Sequence, residues 1–191
     1  MNHAALAGRV AGVDEVGRGP LAGPVVAAAV VLSPKDDWSH LCDSKRLSEK
    51  RRRALTGEIK AGASAWAIGE ASVEEIDRLN IRCASLLAMQ RAVEALDPPI
   101  DAALIDGQDL PDLACPARAI VGGDASVLCI SAASIIAKVH RDEAMRRLHA
   151  EFPAYGFDQH MGYPTVAHRD RLLQHGPCGA HRRSFKPVRD L

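Results

Sequence analysis

Four carboxylates, Asp14, Glu15, Asp106 and Asp124, stand where short apolar runs give way to a turn or a helix. Strand ends of that kind hold side chains rigidly at the open crevice of an α/β sheet, so acids far apart in sequence can meet there. Carboxylates that meet repel one another and resist ionisation unless a cation sits among them. A hard divalent ion, Mg²⁺ or Mn²⁺, prefers oxygen donors and typically combines a few carboxylates with water and phosphate oxygens. Taken singly, each acid also has a plainer role. Asp106 with Gly107 reads as a tight turn, Asp124 as a helix cap, and Asp14 with Glu15 as polar residues closing a strand. The pair poses a further difficulty, because neighbours in a regular strand point to opposite faces. Both serve one site only if the chain bends there, and Gly17 and Gly19 just beyond make a bend credible.

The elements that must position these acids follow from the spacing of apolar residues. Residues 10–14 and 25–32 are β-rich, and Gly17, Gly19, Pro20, Gly23 and Pro24 between them demand a turn. Residues 64–69 form a third strand, and Ser72 followed by Glu75 is a capping-box signature opening a helical region. Leu79, Leu86, Met89, Val93 and Leu96 predict one helix stopping at Pro98 and Pro99. Residues 102–105 and 118–121 are two more strands, ending in Asp106 and in Gly122, Gly123 and Asp124. Across 126–152, Leu128, Ala132, Ile135, Val139 and Leu148 have helical spacing, leaving Lys138, Arg141, Arg146 and Arg147 for other faces. Beyond Pro153, turn residues mix with a short helix over 165–175 and a basic tail. Strands first, then alternating helix and strand, give an α/β chain: a mixed sheet with helices on its faces.

Composition sets the outer limits. With 191 residues, 47% of them apolar, the chain can bury the core of one globular domain. The longest uninterrupted apolar run, 25–32, is far short of the roughly 20 residues that span a membrane. The first residues show no secretory or transit pattern, so a cytoplasmic location is expected. Five cysteines, with no C-x-x-C pair, read as reduced thiols. Net charge is zero, which argues against attachment to nucleic acid by bulk charge. Basic residues nevertheless bunch at 45–53 and 182–189, as solvated faces or as two patches for phosphates. His160, His168, His175 and His181 fit no zinc-ligand spacing and read as surface or structural residues.

At Gly12 the run GVDEVGRGPLAG resembles the opening signature of ribonuclease HII, an acid pair followed by a glycine-arginine-glycine turn. The resemblance continues in DSKRLSEKRR from Asp43, LIDG from Leu104, GGDA from Gly122, SAASIIAKVHRDE from Ser131, YGFDQHMGYPT from Tyr155 and HRRSF from His181. It implies a ribonuclease H-like fold with a five-stranded mixed sheet flanked by helices. A core over about 1–152 and a small helical, basic C-terminal extension over about 153–191 would form one domain. It also implies endonucleolytic cleavage of the RNA strand of RNA/DNA hybrids, and cutting 5′ of single ribonucleotides in duplex DNA, with two Mg²⁺ or Mn²⁺ ions.

Residue by residue, the resemblance makes Asp14, Glu15, Asp106 and Asp124 the catalytic, metal-binding acids. Gly17, Arg18 and Gly19 would recognise the ribose 2′-hydroxyl, and Tyr163 would pack on the sugar of the deoxynucleotide after the cut. Glycine suits such a loop because it lets the backbone come close to a sugar. Ser44, Lys45, Arg46 and Lys138 would contact the phosphate backbone. Met161 departs from the family, whose members often carry lysine there; this bears on one phosphate contact and not on the chemistry. The expected state is a monomer, with no clamp-binding peptide evident at the C-terminus. Two other readings differ in kind. GRGPLAG as a nucleotide-binding loop lacks the lysine and serine or threonine of a P-loop. A non-catalytic hybrid-binding module would not need the intact acid set.

Overall fold

The computed structural model describes residues 8–41 and 47–191. Its centre is a five-stranded sheet in the order β3-β2-β1-β4-β5. β1 (Val10–Val16) and β2 (Val25–Val31) pair antiparallel across the glycine- and proline-rich turn, and β3 (Ala65–Ala71) extends the antiparallel side. β4 (Ala102–Asp106) and β5 (Ala117–Ile120) are parallel to β1, so the sheet is mixed.

β2 is buried at all seven positions, which is why its sequence runs apolar without alternating. Val25, Ala27, Ala29 and Val31 face a cluster that includes α2 (Val73–Leu79) and α3 (Ile81–Glu94). Val26, Ala28 and Val30 face α1 (Glu49–Gly62) and the long α5 (Leu128–Glu151). Gly12 of β1 marks the closest approach: a Cβ there would lie 2.2 Å from the main chain of Cys129, at the start of α5.

Two helices differ from the sequence expectation. The single helix expected through Leu79 and Leu96 is two, because Asn80, at φ 69°, ends α2 and starts α3 anew. Its side-chain oxygen accepts from the Cys83 N–H at 3.1 Å, an N-cap that replaces continuation of α2. The capping box at Ser72 and Glu75 is formed in full. Likewise the helical region expected over 126–152 is preceded by a separate turn, α4 (Gly123–Ser126), and extended Val127 divides it from α5.

From Pro153 onward the chain forms a 3₁₀ turn, α6 (Phe157–His160), α7 (Val166–His175, capped by Thr165) and α8 (Lys186–Arg189). This segment packs back onto the β1–β2 turn. Leu21 donates to Gly162 O at 2.8 Å, Gly23 to Ala180 O at 2.9 Å, and Ala22 forms a β-bridge with His181. No helix among the described residues is long and apolar enough to cross a membrane.

Candidate active site

Asp14, Glu15, Asp106 and Asp124 line one cleft of about 330 Å³ at the C-terminal ends of β1 and β4. Asp14 and Asp106 are next to one another because β1 and β4 are parallel and paired up to Val13 and Ile105. Asp124 enters from α4, whose first turn follows Gly122 in the left-handed region at φ 67°. Its N–H donates to Oδ1 of Asp106 at 3.3 Å, and Ser131 of α5 donates to its carbonyl at 2.5 Å.

The expected bend between Asp14 and Glu15 is not what brings them together. β1 stays paired with β2 through Val16, so its two acids do project to opposite faces. Asp14 lies on the α5 side and Glu15 on the side of Ala11 and Val13. Glu15 reaches the shared cleft because β4 ends at Asp106, leaving the end of β1 open along that edge. It also lines a smaller cavity with Arg18, Arg82 and Asp106, and Arg18 donates to its Oε1 at 3.2 Å.

The electrostatics follow from burial. Asp14, 6% exposed, is pushed up to about 8, mainly by loss of water, with Glu15 and Asp106 adding repulsion and a hydrogen bond to Ser134 opposing. Burial likewise raises Glu15, against the pull of Arg18. Among the described residues no three carboxylate, imidazole or thiolate groups already stand in a ligating arrangement. The donor set still fits a hard divalent ion: every acid offers oxygen, all four line one cleft, and Asp14 resists charge in a way a cation would relieve.

Lys138 and Tyr163 line the same cleft. Lys138 is ion-paired to Asp142 at 2.6 Å, and Tyr163, 41% exposed, stands beside the glycine turn. A Cβ on Gly19 would be 3.7 Å from its ring. Gly17 is buried at φ 98°, whereas Arg18 and Gly19 are exposed. Ser44, Lys45 and Arg46 lie outside the described residues. Met161 is partly buried against the cluster of Tyr155 and Phe157, and its carbonyl accepts from Arg141.

Sequence reasoning missed four residues here. Ser134 and Arg52 line the cleft; Arg52 also donates to the Leu47 carbonyl. Arg141 and Arg182 are fully buried beneath the glycine turn. Arg141 donates to the carbonyls of Pro24, Met161 and Ala22 at 3.0–3.2 Å, and Arg182 to those of Gly17, Arg18, Pro20, Gly23 and Pro24 at 2.6–3.2 Å. Burial pushes them down, to about 10 and about 9. Arg182 therefore does not belong to a phosphate-facing patch, and Arg141 is not on an open helix face. Nothing local signals this: the immediate neighbours of both arginines, His140 and Asp142, and His181 and Arg183, are polar.

Two of the C-terminal histidines are structural. His168 and His181 are buried with their Nε2 atoms 3.1 Å apart, His168 Nδ1 lies 2.9 Å from Tyr163 O, and His181 Nδ1 lies 3.1 Å from the Cys178 N–H donor. A carbonyl at one end and an N–H at the other fix both rings as neutral: His168 donates to Tyr163, His181 donates to His168, and Cys178 donates to His181.

The family model for ribonuclease HII matches residues 11–188. The ribonuclease HII of Dechloromonas aromatica is 58% identical over 181 residues, 95% of this chain and 92% of that one. Among solved structures, the ribonuclease H2 of Pyrococcus horikoshii is 26% identical with a TM-score of 0.80, covering 95% of this chain and 96% of that one. The ribonuclease HII of Archaeoglobus fulgidus, solved in complex with PCNA, is 26% identical with a TM-score of 0.78, covering 93% and 95%. The sequence match extends through every segment that builds the cleft, and the chain belongs to the ribonuclease HII family of endoribonucleases.

Proposed function

We propose that this chain hydrolyses the RNA strand of RNA/DNA hybrids and cuts 5′ of single ribonucleotides in duplex DNA, leaving a 3′-hydroxyl and a 5′-phosphate. The observation that carries the reading is the cleft in which Asp14, Glu15, Asp106 and Asp124 meet, with Asp14 pushed up to about 8. Those four acids would hold two Mg²⁺ or Mn²⁺ ions in the catalytic complex. Such ions, when bound, supply activation of a water and stabilisation of the leaving 3′-oxygen.

The chain's own residues supply position and selectivity. Gly17, Arg18 and Gly19 read the ribose 2′-hydroxyl, the one group separating RNA from DNA at a given sugar. Tyr163, exposed beside Gly19, packs on the neighbouring deoxyribose. Lys138 holds backbone phosphate, with Ser44, Lys45 and Arg46 in the same role, and Arg52 joins them from the wall of the cleft. Contacts of this type orient a duplex without reading its sequence.

One chain carries all four acids, which supports action as a monomer. A sliding clamp is a candidate partner, since the Archaeoglobus relative was solved with PCNA.

The test is incubation with a DNA duplex carrying one ribonucleotide, with and without Mn²⁺ or Mg²⁺, followed by sizing and end analysis of the fragments. A metal-dependent cut 5′ of the ribonucleotide is expected. Binding without cleavage in either metal would instead mark a hybrid-binding module.

A further inference from the structure

The guanidinium of Arg182 is fully buried and bonds five carbonyls of a single turn. Nη2 donates to Gly17 O at 2.6 Å and Nη1 to Arg18 O at 3.0 Å and Pro20 O at 2.8 Å. Nε and Nη2 both reach Gly23 O, at 2.9 and 2.8 Å, and Nη2 reaches Pro24 O at 3.2 Å. Main-chain bonds seat the arginine from behind: its own N–H donates to Leu21 O at 2.8 Å, and Gly23 donates to Ala180 O. Asp77 of α2 then anchors the next two residues, accepting from the N–H groups of Arg183 and Ser184, both at 2.9 Å.

Peptide planarity turns this cluster into a statement about the opposite side of the loop. In a trans peptide the C=O of one residue and the N–H of the next point in opposite directions. Asp97–Pro98 is the cis bond among the described residues, so the peptides of the turn are trans. With Gly17 O and Arg18 O drawn inward to Arg182, the N–H groups of Arg18 and Gly19 point outward. Both residues are exposed, while Gly17 and Pro20 on either side are buried. Two successive outward N–H groups form a small concave donor site for an oxygen, set beside the ring of Tyr163.

We propose that Arg182 is a positioning residue that fixes the outward N–H pair of Arg18 and Gly19, and through it the preference for ribose over deoxyribose. The inference rests on the proposed role of Gly17–Gly19 in reading the 2′-hydroxyl. Arginine suits the task because its planar fork offers five N–H donors in fixed directions, whereas lysine offers three from one point. A merely structural strut would weaken the fold and the binding of every duplex alike. A positioning residue changes the ratio between two duplexes that differ by one hydroxyl.

The experiment measures that ratio by fluorescence anisotropy in metal-free buffer, using a duplex with one ribonucleotide and its all-deoxy counterpart. Wild type is compared with Arg182→Lys, Asp77→Ala and Gly19→Ala, each checked by circular dichroism, thermal melting and calorimetric Mn²⁺ titration. Gly19→Ala is the control for the loop reading, because its Cβ meets nothing closer than the Tyr163 ring at 3.7 Å and so intrudes on substrate space alone.

The expected result is that Gly19→Ala and folded Arg182→Lys lower the wild-type ratio about tenfold or more. For folded Arg182→Lys and for Asp77→Ala, all-deoxy affinity and Mn²⁺ affinity should stay within about twofold. Asp77→Ala, a change outside the core that leaves every Arg182 donor in place, should lower the ratio about threefold, and it decides the matter if Arg182→Lys does not fold. A folded Arg182→Lys, or failing that Asp77→Ala, with the wild-type ratio overturns the proposal. If Gly19→Ala keeps the ratio, or wild type shows no preference, the ribose reading itself falls and Arg182's role with it.

Discussion

The main-chain N–H of Asp124 donates to Oδ1 of Asp106 at 3.3 Å, tying the start of α4 to the last residue of β4. This bond makes two acids 18 residues apart into one structural unit, and it needs an oxygen acceptor at 106 rather than a charge. Asp106→Asn preserves the acceptor and removes the charge. Expected outcome: Asp106→Asn and Asp124→Asn each lower kcat at least about 10²-fold, as loss of a ligand stabilising transition-state charge should, with melting temperatures shifted by only a few degrees. A steady-state assay on a single-ribonucleotide duplex decides it. A near wild-type rate would remove that residue from the cation site.

Asp14, raised to about 8 from an ordinary 3.8, makes cation binding a proton-linked event. Between those values the folded chain binds more protons than the unfolded one, so in metal-free buffer this group makes stability fall as pH rises from about 4 to about 8. A divalent ion binds the deprotonated form and opposes that fall. Mn²⁺ should therefore raise Tm more near pH 8 than near pH 6, and release about one proton per chain near neutrality. Calorimetry in two buffers of different ionisation enthalpy measures the proton count; a count of zero contradicts the linkage.

His181 is pushed down to about 4 by burial, with His168 beside it adding to the shift. Here the sign is opposite. Between about 4 and the ordinary 6.5 the unfolded chain binds the extra proton, so the contribution of this group is complete above about 6.5 and is lost as pH falls toward 4. The loss is up to about 3 kcal/mol from the size of the shift. His181→Asn should flatten the acid side of the melting profile. An equally steep profile in the variant assigns acid sensitivity to other groups.

Gly17 and Gly19 flank one arginine and should respond differently to the same methyl group. At Gly17, φ is 98° and a Cβ would sit 2.1 Å from Arg141 Nε, so Gly17→Ala should cost about 2 kcal/mol or more. At Gly19 the Cβ has room, and Gly19→Ala should melt within a degree or two of wild type. Denaturant unfolding of the two variants compares them directly; equal stabilities would mean the turn is not held as described.

Lys138, paired with Asp142 at 2.6 Å on the wall of the cleft, is placed to exchange that partner for a phosphate. Lys138→Ala should weaken duplex binding similarly for all sequences and reduce the slope of log affinity against log salt by about one. An unchanged slope would show that its charge does not meet the backbone.

Much of the arrangement was legible in the chain. Apolar runs ending in acids located β1, β4 and the approach to α4, because a buried strand and its polar terminus differ so sharply in residue type. Asn80 was not legible as a break, since asparagine within an apolar period reads as an exposed helical position until a φ of 69° shows it capping α3. The bend invoked for Asp14 and Glu15 was the wrong remedy for a real conflict. Strand pairing, which no local pattern encodes, leaves the end of β1 uncovered and opens the cleft to both faces.

By itself the sequence determined where the four acids stand along the chain, the glycine turn and the order of the strands, because each depends on residue type and short-range periodicity. Tertiary structure alone decided the fate of the arginines. Arg182 looks like a member of a basic run and Arg141 like a residue on an open helix face, yet both are buried where backbone carbonyls from residues more than a hundred positions away, together with Met161 for Arg141, satisfy their donors. Burial of a charge is a property of what the rest of the chain brings around it, and that is settled only when distant segments meet.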